Sequence, residues 1–507
     1  MTRPASGPVD PAHTPVPDGA RGPAGNRGLD RGGGPNHTAV PDFAAVRAEF
    51  GLPADGRVFP PAVLAEAERA AAAGPHGPRV DATDVPLVTI DPPGSRDLDQ
   101  AVGITRTPRG FTVHYAIADL GAVVEPGGAL DAEVRRRGQT LYLPDGAVPL
   151  HPPVLSEDAA SLLPDGPRAA VLWRIDLDDE GAVRGADVRR ALVRSLARLD
   201  YAGVQASIDA GVPHPAIAAL AELGPLRRAR AVARGAIELE LPEQEVVRTG
   251  GTWTVRVRRR TPVEDWNAEI SLLTGQVAAG MMLDAGVGLL RTLPAPDPEA
   301  VAALRAAALE LGLEWSEGES PARALAALPR PAGGADPTDP RALAVRRAAT
   351  TLLRGAAYAA FGPGTPPPEN PGHGGIGAPY AHVTAPLRRL VDRFGSEVCL
   401  ALAAGREVPD WLAEALPALP GLMSASDTLA ARVDRACTDR TEAALLAGRV
   451  GEEFEVVVLR REPGEVFLAD PPVLARCEGV GEPGATVRAR LVEADPATGR
   501  VRFGLPG

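Results

Sequence analysis

Apolar and polar residues alternate with two different periods along the chain, and the changes of period divide it into regions. Over 43–73 the spacing is helical, with Phe43, Val46 and Phe50 on one stripe and Val63, Leu64 and Ala67 on a second. Short β-rich runs follow at 87–90, 102–105, 111–118 and 170–177, separated by Pro, Gly and Asp. Alternation returns at 252–258, where Trp253, Val255 and Val257 face away from their polar neighbours. After Asn267 the pattern becomes helical for a long way, predicting helices over 301–311, 342–360 and 386–403, interrupted by a Pro- and Gly-rich loop at 362–378. The end of the chain reverts to β: the runs 454–459, 466–468, 487–491 and 501–503 predict a small barrel. In its last two strands Arg488, Arg490, Arg500 and Arg502 take the parity opposite to Val487, Ala489, Leu491, Val501 and Phe503, which places four arginines on an outer face.

These periods give four regions. Residues 1–38 hold almost no large apolar side chain and predict a disordered Pro/Gly-rich tail, because too little surface can be buried to offset the entropy of ordering. A short helical leader spans 39–84, a large α/β region 85–445, and the barrel 446–507. Composition changes this picture little. All 53 basic residues are arginine, and the net charge of −12, taken alone, argues against a nucleic-acid binder. That sum hides local surfaces, and arginine forks suit phosphate well. The three cysteines, Cys399, Cys437 and Cys477, are widely spaced and form neither a zinc pattern nor a disulfide framework. No run long and apolar enough for a membrane span or a signal peptide is present, so the cytoplasm is the expected compartment.

The segment 88–101, Val-Thr-Ile-Asp-Pro-Pro-Gly-Ser-Arg-Asp-Leu-Asp-Gln-Ala, carries the clearest chemistry. A buried-looking strand ends at Asp91 and a Pro-Pro-Gly turn re-aims the chain. Asp97 and Asp99 then stand two apart, so in extended backbone both point the same way. Three carboxylates from two passes of the chain repel one another unless a cation neutralises them. Hard oxygen ligands without sulfur or imidazole favour Mg²⁺, with Mn²⁺ as an alternative. On residue types alone, an Asp-rich solvated turn accounts for the segment equally well.

The same segment resembles the signature of the RNB-domain exoribonucleases, the ribonuclease II/R family, in which a strand-ending Asp is followed by a turn and Asp-x-Asp-Asp. Further stretches match in order: Ile117-Ala118-Asp119; Tyr142-Leu-Pro with the following Pro149; Leu155-Ser156-Glu157; Asp200-Tyr201 before a helix; and Tyr380-Ala-His-Val-Thr-Ala-Pro386-Leu-Arg388-Arg389-Leu-Val-Asp392. The resemblance covers about residues 86–445. It implies an α/β catalytic domain with a deep RNA channel, followed by an OB/S1-like barrel. The implied activity is Mg²⁺-dependent 3′-to-5′ hydrolysis of single-stranded RNA to nucleoside 5′-monophosphates. Asp91, Asp97 and Asp99 carry over as metal and catalytic carboxylates, Arg388 as the residue at the scissile phosphate, and Tyr142, Tyr201, Arg389 and Asn267 as RNA contacts. Gln100 stands in the fourth acidic position, where its carbonyl can still serve as a ligand at one charge less.

Arg388 also has a local case. Pro386 suits a first helical turn with Thr384 as its cap, so the arginines are expected at a helix N-terminus, with Asp392 four residues on to orient Arg388. Two departures from the family concern base clamping. No aromatic residue lies between Tyr201 and Trp253, and Asn267-Ala-Glu269 replaces an acidic pair. The leader is too short for the two cold-shock domains that relatives carry ahead of the catalytic domain, so a short form with a reduced clamp is expected. The arginines at 135–137, 227–230 and 256–260 read either as channel lining or as solvated faces, and those on the outer face of the barrel either as a backbone track or as ordinary solvated charge. Two rivals remain open: an RNB-type RNA-binding protein catalytically weakened at Gln100, and a phosphodiesterase of small phosphorylated compounds.

Overall fold

The computed structural model describes residues 39–239, 241–258, 260–329 and 339–505; the predicted tail over 1–38 lies outside the described residues. The leader forms helices α1 (Phe43–Glu49) and α2 (Pro61–Ala73), started by Asp42, whose side chain caps Ala45 N–H, and by Pro61 at the first turn. A mixed sheet follows, built from β1 (Val80–Asp81), β2 (Leu87–Ile90), β3 (Gln100–Thr107), β4 (Gly110–Ala118), then, after helix α3 (Ala129–Arg137) and the hairpin β5 (Leu141–Leu143) and β6 (Gly146–Val148), β7 (Arg168–Leu177), β8 (Val183–Val193) and β9 (Ser195–Leu199). Its order is β1-β8-β7-β4-β3-β2-β9, antiparallel except for the parallel pairs β1–β8 and β2–β9.

Helices α4 (Tyr201–Asp209) and α5 (Leu220–Ala233), the hairpin β10 (Glu243–Thr249) and β11 (Thr252–Arg258), and the long helix α6 (Pro262–Ala285) come next. The start of α6 is written in its sequence: Thr261 and Glu264 form a reciprocal capping box, with Pro262 in the first turn. Then follow β12 (Gly288–Thr292), α7 (Pro298–Glu310), α8 (Pro321–Ala327), α9 (Pro340–Ala349), β13 (Ala357–Phe361), the two-residue pair β14 (Gly372–His373) and β15 (Ala378–Pro379), and helices α10 (Leu390–Ala403), α11 (Asp410–Ala415) and α12 (Leu419–Leu446). The main core fills the space between one face of the sheet and helices α6 and α10, around Tyr115, Trp173, Ile270 and Phe394. Each such side chain fully withdrawn from water contributes roughly 1.5–3 kcal/mol.

Strands β16 (Glu453–Arg460), β17 (Glu465–Leu468), β18 (Val473–Glu478), β19 (Thr486–Asp495) and β20 (Arg500–Gly504) close a separate barrel in the order β16-β17-β18-β20-β19, around Val456, Val466, Leu491 and Phe503. Among the described residues no helix is long and apolar enough to cross a membrane.

Two expected helices are cut short. The one placed over 342–360 ends at Ala349, and Ala357–Phe361 is a strand paired antiparallel with β12, Tyr358 opposite Arg291. Tertiary pairing and the burial of Tyr358 and Phe361 override the helical preference of the alanines. The helix placed over 386–403 begins only at Leu390. Before it, Arg389 has extended dihedrals and the backbone pairs across to the segment leading into β5: Thr140 N–H bonds to Arg388 C=O, and Leu390 N–H to Gly138 C=O. The arginines therefore lie in a loop ahead of the helix, and Thr384 does not cap it.

Candidate active site

The loop between β2 and β3 is held from beneath by Leu98. Its side chain is fully buried, its N–H bonds to Ser161 Oγ at 3.0 Å, and its C=O accepts from Leu162 N–H. Asp97 and Asp99 flank the pinned Leu98, near enough for the charge of Asp97 to add to the repulsion at Asp99. Asp91 follows β2, its N–H bonded to Leu199 C=O, which sets it beside Asp200-Tyr201 at the start of α4. The expected start of a helix at Tyr201 is observed, capped by Asp200 on Gly203 N–H.

Asp99 is 3 % exposed, and both its oxygens are engaged: Oδ1 accepts from Leu387 N–H at 2.7 Å and Oδ2 from Arg388 Nε at 3.3 Å. Burial pushes its carboxyl up to about 8, against the pull of Arg388 and the Leu387 amide, with Asp392 and Asp97 adding repulsion. Asp91 is raised to about 7, by burial first and Asp97 second, with Arg388 and Arg198 opposing. Tyr142, 55 % exposed, points its hydroxyl at Asp97 Oδ2 across 3.3 Å. Tyr201 lies beside Asn267 on α6, and burial and the nearby Asp91 raise its pKa. Helix α6 comes close to the segment that follows Tyr380 because Gly275 has no side chain: a Cβ there would stand 2.1 Å from the Tyr380 ring.

Asp91, Asp97, Asp99, Arg388, Tyr142 and Tyr201 thus share one neighbourhood. A cavity of about 310 Å³ opens beside it, lined by Tyr142, Arg388 and Arg389 and, from α12, by Val433 and Asp434.

Other expectations are corrected here. Asp392 does not orient Arg388. Its carboxylate is forked by Arg389, with both contacts at 2.9 Å, and it caps Ala385 N–H at 2.7 Å. The i,i+4 geometry would need a helix through Arg388, and the extended backbone at Arg389 removes it. Arg389, placed among the RNA contacts, has its guanidinium taken up by Asp392; burial works against its charge, and Asp392 raises its pKa above the ordinary value. Gln100, placed among the metal ligands, ties β3 to the loop through Nε2, which donates to Thr384 C=O at 2.6 Å, while the carbonyl Oε1 expected as the ligand atom takes no part in that bond. Asn267 reaches the site through Tyr201. Sequence reasoning missed His151, whose Nδ1 meets Leu387 C=O at 3.1 Å, on the residue whose N–H holds Asp99, and Arg198, whose charge favours the ionised form of Asp91. Neither carries a local signal beyond its residue type.

Two of the three arginine clusters, 135–137 and 256–260, are largely paired with carboxylates, and in the third Arg228 is. Arg136 and Arg137 pair with Glu133, Arg228 with Asp265, Arg256 with Glu245 and Arg258 with Glu264.

Among the described residues no three Asp, Glu, His or Cys side chains close on one point, so the carboxylates converge more loosely than a metal cage. Asp99 is turned onto Leu387 and Arg388. Yet magnesium is commonly held by one or two carboxylates, water and substrate phosphate rather than by a complete protein shell. Two carboxyls raised by burial and by the charge of Asp97 between them in sequence are what a divalent cation relieves. The donor set fits an open site of that kind.

Residues 79–394 match the RNB domain, and residues 452–505 match the RNase II-type exonuclease C-terminal S1 domain. The chain belongs to the RNB family. It is 33% identical over 328 residues to ribonuclease R of Escherichia coli K12, a match covering 62% of this chain and 39% of that protein. It is 29% identical over 399 residues to the exosome complex exonuclease RRP44 homolog A of Arabidopsis thaliana, covering 76% and 40%. The matches thus span about two fifths of the length of these relatives.

Among solved structures, Mycoplasma genitalium RNase R in complex with ribose methylated single-stranded RNA superimposes with a TM-score of 0.78 at 19% identity, covering 92% of this chain and 77% of that one. Yeast Ssd1, a pseudonuclease, has a TM-score of 0.62 at 16% identity, covering 85% and 54%. These likenesses establish the expected fold, an RNB domain followed by an S1-type barrel.

Proposed function

We propose that this chain is a metal-dependent 3′-to-5′ exoribonuclease that hydrolyses single-stranded RNA to nucleoside 5′-monophosphates in the cytoplasm. The observation that carries this function is the pairing of Asp99 with Arg388, 289 residues apart, amid buried carboxylates whose protonation burial favours.

Mg²⁺, or Mn²⁺, held by Asp91, Asp97 and Asp99 would supply Lewis-acid polarisation of the phosphate and an activated water. The protein does the rest. Arg388, 43 % exposed at its side chain, offers its outer N–H groups to the terminal phosphodiester while Asp99 fixes its Nε. Water adds to phosphorus, the bond to the penultimate O3′ breaks, and that oxygen takes up a proton to leave a new 3′-hydroxyl. Tyr142 stacks on the last bases. Tyr201, beside Asn267, faces the sugar, where a 2′-hydroxyl distinguishes RNA from DNA.

The test is a 5′-labelled, unstructured RNA of about 30 nucleotides, longer than usual single-strand sites, incubated with Mg²⁺, with EDTA, and with Asp99→Asn. Stepwise shortening from the 3′ end that EDTA and Asp99→Asn both abolish is expected.

A second reading has one observation behind it: Gln100 is bound to Thr384 where relatives carry an acid, as in a catalytically weakened RNA-binding member. RNA left intact with either metal but retarded on a native gel would favour it.

A further inference from the structure

Helix α1 and the loop that follows it meet the β5–β6 hairpin at three places. The hairpin alternates: Leu141 and Leu143 are buried, and Tyr142 between them is exposed toward Asp97. The buried pair packs with Phe43 and Val46 of α1 and Val433 of α12. At the hairpin turn, Asp145 receives a two-pronged grip from Arg47, Nη1 at 2.7 Å and Nη2 at 2.8 Å, with the arginine side chain only 8 % exposed. Third, the loop after α1 crosses the hairpin at Gly56, where a Cβ would stand 2.2 Å from Ala147 O; Ala147 is the cross-strand partner of Tyr142. The helix is itself anchored, Glu49 pairing with Arg440 of α12 at 2.6 Å.

We infer that Arg47 and Asp145 are positioning residues, through which the leader helix sets Tyr142 over the carboxylate site. The inference rests on Tyr142 being the base-stacking side chain proposed above. Leader and hairpin lie 98 residues apart in sequence at this bridge, so the hairpin is fixed by tertiary contact and not by its short turn. An unconstrained hairpin of three-residue strands is not stable in water. Releasing Asp145 therefore loosens the strand that carries Tyr142, while Leu150 N–H remains held by Thr140 at the hairpin root.

The test uses the full chain with Arg47→Ala, with Asp145→Ala, and with the exchanged pair Arg47→Asp with Asp145→Arg, each in the native and in a Tyr142→Ala background. On a short unstructured RNA, either single substitution is expected to raise KM about tenfold, the size of one lost base stack, with kcat changed less. In the Tyr142→Ala background the same substitution is expected to add less than about twofold, and the exchanged pair to recover much of the loss. Hydrogen exchange over 141–148 is expected to rise in Arg47→Ala, with β3 and β4 unchanged. Equal KM losses in both backgrounds, or unchanged exchange in the hairpin, overturn the inference. Should Tyr142→Ala alone leave KM unaltered, the stacking role of Tyr142 falls, and the exchange data still decide whether Arg47 holds the hairpin.

Discussion

The outer face of the barrel and the carboxylate site both concentrate charge, and they handle it in opposite ways. On the barrel, Arg490 lies 3.0 Å from Glu453, Arg502 bonds Glu493 at 2.7 Å and Glu478 at 3.3 Å, and Arg488 stands across from Glu455 in the register. The arginine stripe that parity predicts is real, but neighbouring strands interleave it with glutamates. Exposed pairs of this kind contribute about 0–1 kcal/mol each and present little net field. At the site, Asp91 and Asp99 each face the cost of burial and the repulsion of Asp97, with Arg388 opposing at both and Arg198 at Asp91. Charge is balanced within the protein on the barrel, and left less balanced at the site where the proposed function places a cation and a phosphate.

The sharpest break of that comparison is Asp99→Asn. The amide keeps an oxygen for Leu387 N–H, so folding is retained, while the charge is lost. The rate of 3′ shortening is expected to fall by about 10³-fold or more, roughly 4 kcal/mol of transition-state stabilisation. The two adjacent arginines should separate cleanly. Arg389→Ala leaves Asp392, fully buried, without its fork, and thermal or denaturant unfolding should show a loss of about 3–5 kcal/mol. Arg388→Ala should leave stability nearly unchanged and lower kcat by about 10²–10³-fold. If Arg388→Ala instead unfolds the protein and Arg389→Ala only slows it, the assignment of roles is reversed.

The contrast between these arginines also shows what the sequence could convey. The strand 252–258 has in the structure the limits that its alternation predicts, because two-residue spacing is local geometry. Strand β8 was missed because most of its residues are exposed, with Arg184, Asp187 and Arg189 among them, leaving little apolar alternation to read. The partner of Arg388 was misassigned for a related reason. Asp392 is near in sequence and would be near in space in a helix, whereas Asp99 is brought there only by the sheet and by the backbone pairing of 388–390 with 138–140. Local periodicity carries no information about which distant segment will pair with a stretch of backbone.

Gln100 offers a smaller test of the same site. If its amide is chiefly a tether, Gln100→Asp puts a carboxylate against the Thr384 carbonyl and removes the donor. Stability should drop by about 1–3 kcal/mol, and cleavage should rise by no more than about threefold. A rise of tenfold or more would mean that the missing charge had been limiting and that the native chain is the weakened form.

The barrel should show the least effect. If Arg488, Arg490 and Arg502 formed a track for an RNA backbone, replacing all three by Ala would remove about three phosphate contacts. The slope of log affinity against log salt would then become shallower by about 0.7 for each, or roughly 2 in all. With their guanidiniums facing glutamates, the expected change in slope is below about 0.5, and affinity at moderate salt should move less than about threefold. Fluorescence anisotropy of a labelled single-stranded RNA, titrated at several salt concentrations with metal withheld, reads both quantities without cleavage. A slope change near 2 would mean that RNA displaces the glutamates from their arginines, and that the barrel face, like the carboxylate site, is charge held ready for a ligand.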